Sequence, residues 1–354
     1  MKLSVHASEL SRMMKAISKC IDNRPPTNGA IEISTKDGHL IIRSVNTQFA
    51  VTTGCDADIY EDGAVVVDGK TFGGIISRCS GLCDIKADNK SFTVQNFGRT
   101  RLPVLDKEIP KLDPVTGEEV SVMASGLFRT YDRIGYAISH DETRIILTGA
   151  LLESSSGILK MVSLDGFKLA VEQTECTGSD ISAVVPGGLL RVICENASGD
   201  ALVRIITDGK RIMFKSTGIV VAGGLLTGQY VDYGKVLPQA FKTEVVFDVN
   251  KMKTVLKSAK IATVKNNLVR LRITENLLTI ATRSEAADFD AEMDCETSGD
   301  SVDIAFNDQY LMDTLNAINT EYAVMKLNSP TSPGIICGKD EGGVHLLLPV
   351  RTTA

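Results

Sequence analysis

The segment Ser4-Val5-His6-Ala7-Ser8-Glu9-Leu10-Ser11-Arg12 returns as Ser121-Val122-Met123-Ala124-Ser125-Gly126-Leu127-Phe128-Arg129, and more loosely as Phe247-Asp248-Val249-Asn250-Lys251-Met252-Lys253. Each copy reads as a short strand, a Ser or Asn able to cap the first orphan amides, and an amphipathic helix. The apolar stripes are Leu10, Met13, Met14, Ile17, then Leu127, Phe128, Tyr131, Ile134, then Met252, Val255, Leu256, Ala259. A second strand-then-helix unit also recurs three times at nearly the same spacing: Val65–Asp68 leading to Phe72, Ile75 and Ile76; Val184–Pro186 leading to Leu189, Val192 and Ile193; Ile304–Asn307 leading to Leu311, Leu315 and Ile318. Alternating strands such as Leu40–Val45 and Leu277–Ala281 lie between them. A repeat of this length decides the architecture before composition is consulted. The expected fold is α+β, three modules each with two helices and antiparallel sheets. Turn-rich stretches at Asp113–Gly117 and Pro238–Thr243 set expected domains at 1–117, 118–242 and 243–354.

A chain of 354 residues is too long for one ordinary core, in keeping with several modules. Its longest apolar stretch, Gly218 to Leu226, falls far short of the ~20 residues of a membrane span. No charged-then-apolar leader pattern opens it, so the expectation is cytoplasmic, with no membrane partner. The eight cysteines are scattered, and no second Cys or His pair accompanies Cys79 and Cys83 at zinc-site spacing; reduced, buried thiols are expected.

Net charge is −6, which argues against coating nucleic acid with a basic surface. Its distribution is uneven. The polar face of each first helix is basic: Arg12, Lys15 and Lys19; Arg129 and Arg133; Lys253, Lys257 and Lys260. One such face alone is ordinary solvated surface. Three equivalent ones suggest a surface for a polyanion such as duplex DNA, held by phosphate contacts without sequence preference. Asp288, Asp290, Glu292, Asp294 and Glu296 alternate with apolar residues and place a carboxylate row on one strand face, read as protection of a sheet edge rather than a cation site.

No GxxxxGK[ST] loop, GxSxG elbow or HExxH pair occurs. His140, in Ser139-His140-Asp141-Glu142, is the most tempting acid–base candidate and reads more simply as a surface histidine. No catalytic residue, metal or cofactor is expected.

Several stretches resemble the bacterial sliding clamp, the beta subunit of DNA polymerase III. Ser163-Leu164-Asp165-Gly166-Phe167-Lys168-Leu169-Ala170 is similar to that family's Thr-Asp-Gly-His-Arg-Leu-Ala stretch. Gly228–Pro238 resembles its Gly-x-Phe-Pro-Asp-Tyr-x-x-Val-Leu-Pro segment, and Leu346–Arg351 its closing apolar-Pro-Met-Arg motif. Phe306-Asn307 with Tyr310, Leu311 and Leu315-Asn316-Ala317 matches the third-domain helix, so the resemblance spans the chain. It implies a DNA clamp fold and a head-to-tail homodimer ring around duplex DNA. It also implies a groove between the second and third domains for peptides of the DNA polymerase III alpha subunit, the clamp loader and other proteins with a clamp-binding motif.

By the same resemblance, groove residues are Leu147, Leu164, Gly166, Phe167, Lys168, Leu169, Val231, Lys235, Val236, Leu346, Leu347, Leu348, Pro349, Val350 and Arg351. Arg24 and Lys70 join the DNA-facing set, and Leu102, Val104 and Ile261 fall at the subunit interface. Departures are Phe167 for the family's His, Lys168 for Arg, Val231 for Pro, Gly234 for a basic residue, and Gly187-Gly188 for a basic pair. They leave room for a divergent copy, phage-borne or duplicated, serving other partners. The remaining alternative, a cytosolic enzyme with an inter-domain active site, would need perturbed titratable groups clustered in a deep pocket.

Overall fold

The computed structural model describes residues 1–111, 113–197, 199–263, 267–285 and 287–351. Its helices are α1 (Ala7–Ser18), α2 (Gly69–Ile76), α3 (Ala124–Ile134), α4 (Gly187–Asn196), a single turn α5 (Tyr233–Val236), α6 (Val249–Thr263) and α7 (Asp308–Ala317). One element order runs three times along the chain: strand, helix, five strands, helix, three strands.

The helices start where the strands stop. α1 begins at Ala7 rather than after Ser8, and its preceding residue His6 makes no side-chain cap. At α6 the capping carboxylate is Asp248, which accepts from Lys251 N at 2.9 Å. α2 and α7 are capped by the last residue of the strand before them: Asp68 accepts from Thr71 N at 2.8 Å, and Asn307 from Gln309 N and Tyr310 N at 3.0 and 3.1 Å. Ahead of the last strand before α7, Gly299 has φ +98°, and a Cβ there would collide with the carbonyl of Lys242; Gly178 (φ +115°) meets the carbonyl of Glu119 in the same way.

Two compact units emerge, each built around one nine-stranded sheet that crosses a module boundary and one smaller sheet that does not. One comprises residues 1–128, 154–157 and 175–226. It holds a five-stranded sheet, in the order Asp58–Glu61, Lys2–His6, Leu82–Ala87, Ser91–Gln95, Arg99–Pro103. It also holds a nine-stranded sheet in which Ile219–Gly224 lies antiparallel to Phe49–Asp56, with Val221 opposite Val51. The other unit comprises residues 129–153, 158–174 and 227–354. There Lys168–Glu175 pairs antiparallel with Val344–Leu347, Leu169 opposite Leu346, and a four-stranded sheet runs Asp288–Asp294, Leu277–Arg283, Leu268–Thr274, Val302–Asn307. The middle repeat is divided between the units because each of its sheets continues into a neighbour.

The cores follow the sequence pattern, with one rotation. α1 buries Leu10, Met13, Met14 and Ile17, and α6 buries Met252, Leu256 and Ala259. On α3, however, Phe128 is exposed while Thr130 and Arg133 are buried beside Leu127 and Ile134. The buried stripe runs Leu127, Thr130, Ile134, and Arg133 falls on its flank. Among the described residues no helix is long and apolar enough to cross a membrane.

Candidate functional site

The second unit carries an apolar surface assembled from five separate segments. Its floor is the cluster Leu147, Leu164, Leu169, Ile335 and Leu346, against which Ile146, Val171, Tyr230, Tyr233, Leu237 and Phe241 pack. Four residues expected in the groove thus meet in one cluster. Tyr230 and Tyr233 pin the segment before α6 in place: Tyr230 OH donates to Val162 O at 3.2 Å and Tyr233 OH to Glu153 Oε2 at 2.9 Å. Burial and the Glu153 carboxylate push the Tyr233 hydroxyl up to about 12. Around this floor stand Ile145, Phe167, Val231, Val236, Leu348 and Val350, all exposed large apolar side chains. In this unit only Tyr322 is a further exposed large apolar residue among those described. So dense a cluster of exposed apolar groups marks an interaction site.

Backbone bonds fix the rim. Asp165 Oδ1 accepts from Phe167 N and Lys168 N, both at 2.8 Å, closing a turn through Gly166 (φ +97°) that lifts Phe167 outward. Leu348 N donates to Phe167 O at 2.9 Å, and Val350 N to Ala305 O at 2.8 Å. Pro349 is half-buried between them, while Arg351 and Lys235 are exposed, Lys235 within 2.8 Å of Asp232.

Two groove expectations need correction. Leu347 points into the core of the third module with Phe306 and Ile336 rather than into the groove, because side chains alternate along Val344–Leu347 and Leu346 takes the groove side. Lys168 is not a rim cation. It is only 8% exposed, donates to Tyr136 O at 3.0 Å, lies 3.4 Å from Asp165 and 3.8 Å from Asp313, and sits 4.6 Å from the Tyr310 ring centroid. Beside the turn the cation at the surface is Arg144, whose guanidinium covers Gly166: a Cβ there would lie 3.1 Å from its Nη1, while Lys235 and Arg351 are exposed elsewhere on the rim. The sequence assigns no groove role to Arg144, Ile145, Tyr230, Tyr233 or Tyr310; of these, only the three tyrosines fall in stretches that carry the family resemblance.

Behind the groove lies a buried polar network. His345 Nδ1 lies 3.1 Å from Tyr136 OH, which also receives Thr314 Oγ1 at 3.1 Å. Burial, with Arg133 adding to it, drives the His345 ring down to about 4, so it is neutral near pH 7. Arg133 pairs with Glu341 at 2.7 Å and Glu172 at 3.6 Å. It is therefore withdrawn from the basic face expected of α3: its position flanks the buried stripe, and two carboxylates receive it. Burial raises the Glu172 carboxyl, and Arg133 only partly offsets that.

The remaining basic residues stay at the surface. In the first unit, Lys15 and Lys70 line one cleft of about 410 Å³ between α1 and α2, with Ser11, Ser18 and Ser77. Arg24 is exposed and bonded to Asp22 at 3.1 Å; hydrogen bonds from Arg24, with the charges of Arg24 and Lys70, hold that carboxyl below its usual range. Arg12 is exposed but tied to Glu9 at 2.8 Å, and Lys19 is exposed. In the second unit Arg129, Lys257 and Lys260 are exposed, Lys260 donating to Gln309 Oε1 at 3.2 Å. Lys253 is half-buried, and burial next to Lys257 lowers its ammonium.

At the expected interface, Leu102 is 2% exposed, turned inward opposite Phe92; Val104 is half-buried, and the side chain of Ile261 lies outside the described residues. Leu102 is corrected to a core residue. Its strand, Arg99–Pro103, is a sheet edge that presents Arg99 and Arg101. The edge strand Asp288–Asp294 presents Asp288, Asp290, Glu292 and Asp294. Among the described residues no group of three or more His, Cys, Asp or Glu is gathered as a metal site.

Comparison with known proteins gives this geometry a family. Residues 121–232 match the profile described as DNA polymerase III beta subunit, central domain, and residues 234–351 the one described as its C-terminal domain. A beta sliding clamp of Synechococcus elongatus is 27% identical and one of Streptomyces coelicolor 25%, each alignment covering 99% of both chains. The DNA polymerase III beta subunit of Thermotoga maritima superposes with a TM-score of 0.93 at 22% identity, over 99% of this chain and 100% of that one. A Pseudomonas aeruginosa sliding clamp bound to griselimycin superposes at 0.92, with 22% identity and the same coverage. With two profiles spanning most of its length and relatives aligned end to end, the chain has the DNA clamp fold and belongs to the bacterial sliding-clamp family, the beta subunits of DNA polymerase III.

Proposed function

We propose that this chain is a non-catalytic processivity factor, two copies of which close head to tail into a ring around duplex DNA. Its three clamp domains are taken as 1–117, 118–242 and 243–354. Ring closure is the step that lets an acidic protein stay on DNA without tight contacts, since retention is then topological. The observation that carries the reading is the pair of unpaired sheet edges of opposite charge: Arg99 and Arg101 on one, Asp288, Asp290, Glu292 and Asp294 on the other. Edges of this kind continue into each other across a head-to-tail interface, and opposite charge selects the partner and its register.

Lys15, Lys19, Arg24, Lys70, Arg129, Lys257 and Lys260 supply phosphate contacts that read no sequence. The groove of the second unit takes a peptide of the DNA polymerase III alpha subunit, the clamp loader or another clamp-binding protein. A cytoplasmic setting follows from that role. The test is retention: loaded on nicked circular duplex, the protein stays bound and leaves when the circle is cut, whereas equal loss from circular and linear DNA refutes the ring.

A further inference from the structure

The five-stranded sheet of the first unit carries a row of cations across its solvent face. Lys2 stands directly opposite Lys86, Lys86 opposite Thr93 and Thr93 opposite Arg101, so the three charges share one face over three strand spacings, about 14 Å. Like charges placed directly opposite each other destabilise a sheet. The repeat supplies the control. Lys2, Glu119 and Glu244 each lie five residues ahead of the first residue of α1, α3 and α6. Glu119 pairs with Arg204 at 2.5 Å, and Glu244 with its cross-strand neighbour Lys326 at 2.9 Å. The first module alone sets a lysine there, against another lysine. Lys2, Lys86 and Arg101 are exposed, and among the described residues no ion pair joins them to a carboxylate. Lys2 turns its ammonium toward the Tyr60 ring, 5.5 Å from the centroid, although Glu61 stands across the strand pair. The other acids of this face are engaged locally: Asp84 accepts from Ser4 Oγ, and Asp88 from Lys90 N and Ser91 N, both at 2.8 Å. The row lies along a polar cleft of about 700 Å³ that no aromatic side chain lines among the described residues.

We propose that this cleft binds an oligophosphate, a linear chain of phosphate groups laid along Lys2, Lys86 and Arg101. A single phosphate is too short to reach both ends of the row, whereas a chain meets each cation in turn. The Arg101 guanidinium suits two phosphate oxygens at once, the lysines act as point charges, and Thr93 offers a hydroxyl between them. The lining selects for charge alone: with no aromatic face for a nucleobase to stack on, it favours a bare phosphate chain over a nucleic-acid strand. Lys86 and Lys2 lie two and three strands in from the Arg99–Pro103 edge, so a second copy's strand joining that edge does not account for them.

Calorimetric titration of the full chain at low salt with orthophosphate, inorganic tripolyphosphate and a dT oligonucleotide reads the site. Tripolyphosphate should bind about tenfold or more tighter than orthophosphate, and Lys86→Gln should weaken it about fivefold or more. Lys2→Glu restores the acid of the other two modules: it should abolish tripolyphosphate binding and raise the thermal midpoint, which separates lost binding from lost folding. Tripolyphosphate that fails to bind the wild-type chain, or that binds both variants as tightly, overturns the site. An oligonucleotide that binds more tightly than tripolyphosphate and loses that affinity in Lys2→Glu overturns it as well, since the row would then read a nucleic-acid backbone.

Discussion

His345 is 2% exposed, with its ring between Tyr136 and Glu172 and Arg133 close by. Its folded-state value of about 4 lies below that of an unfolded histidine, so as pH falls the unfolded chain takes up the proton first. The stability tied to this ring is complete above about pH 6.5 and is lost as pH drops toward 4, by on the order of 3 kcal/mol at most. Glu172, raised by burial, works in the opposite direction near its own titration. Urea midpoints of the wild-type protein should therefore fall between pH 7 and 4.5 more steeply than those of His345→Gln; parallel curves would show that this ring does not drive the acid sensitivity. The groove is tested at the same scale. Leu346 and Leu347 are buried, and truncating them would cost about 2–5 kcal/mol each, so lost binding would not separate docking from folding. Leu348→Asp with Val350→Asp alters exposed positions: peptide affinity should fall at least tenfold with the thermal midpoint nearly unchanged. Unaltered affinity would move the site elsewhere.

At the scale of elements, the helices and strands were largely legible, while their starts and faces were less so. Periodicity located α1, α6 and α7, because an apolar stripe every three to four residues matches the helical repeat and cannot lie on one face of a strand. It misplaced the face of α3, where Phe128 and Arg133 exchange their expected environments: burial of an arginine depends on Glu172 and Glu341, which lie far away in sequence. The start of α7 is set locally by Asn307. Asn307→Ala should cost about 1 kcal/mol in denaturant unfolding, and an unchanged urea midpoint would show that this cap does not hold the helix start. The edge strands make a separate prediction. Arg99→Glu with Arg101→Glu should weaken self-association more than tenfold in sedimentation, and adding Asp290→Lys with Glu292→Lys should recover much of it. If the reversed pair of edges does no better than the singly reversed one, these strands do not meet.

For the whole molecule, retention on DNA depends on closure rather than on any single contact. Raising salt from 50 to 200 mM should shorten residence on linear duplex far more than on a closed circle, since only the phosphate term is screened. Comparable loss from both would return the protein to ordinary electrostatic binding. By itself the sequence determined the repeat, the α+β class, the basic first helices and the acidic strand, because these rest on local periodicity and on residue types within one element. Tertiary structure alone decided which side chains share a surface. It sent Lys168 and Arg133 inward, turned Leu347 and Leu102 into core, and brought Arg144, Tyr310 and Phe167 together from three segments. The reason is physical: whether a charge is buried or a ring exposed depends on partners from other elements, some more than a hundred residues away, as Glu341 is from Arg133 and Tyr310 from Lys168, and no local pattern records them.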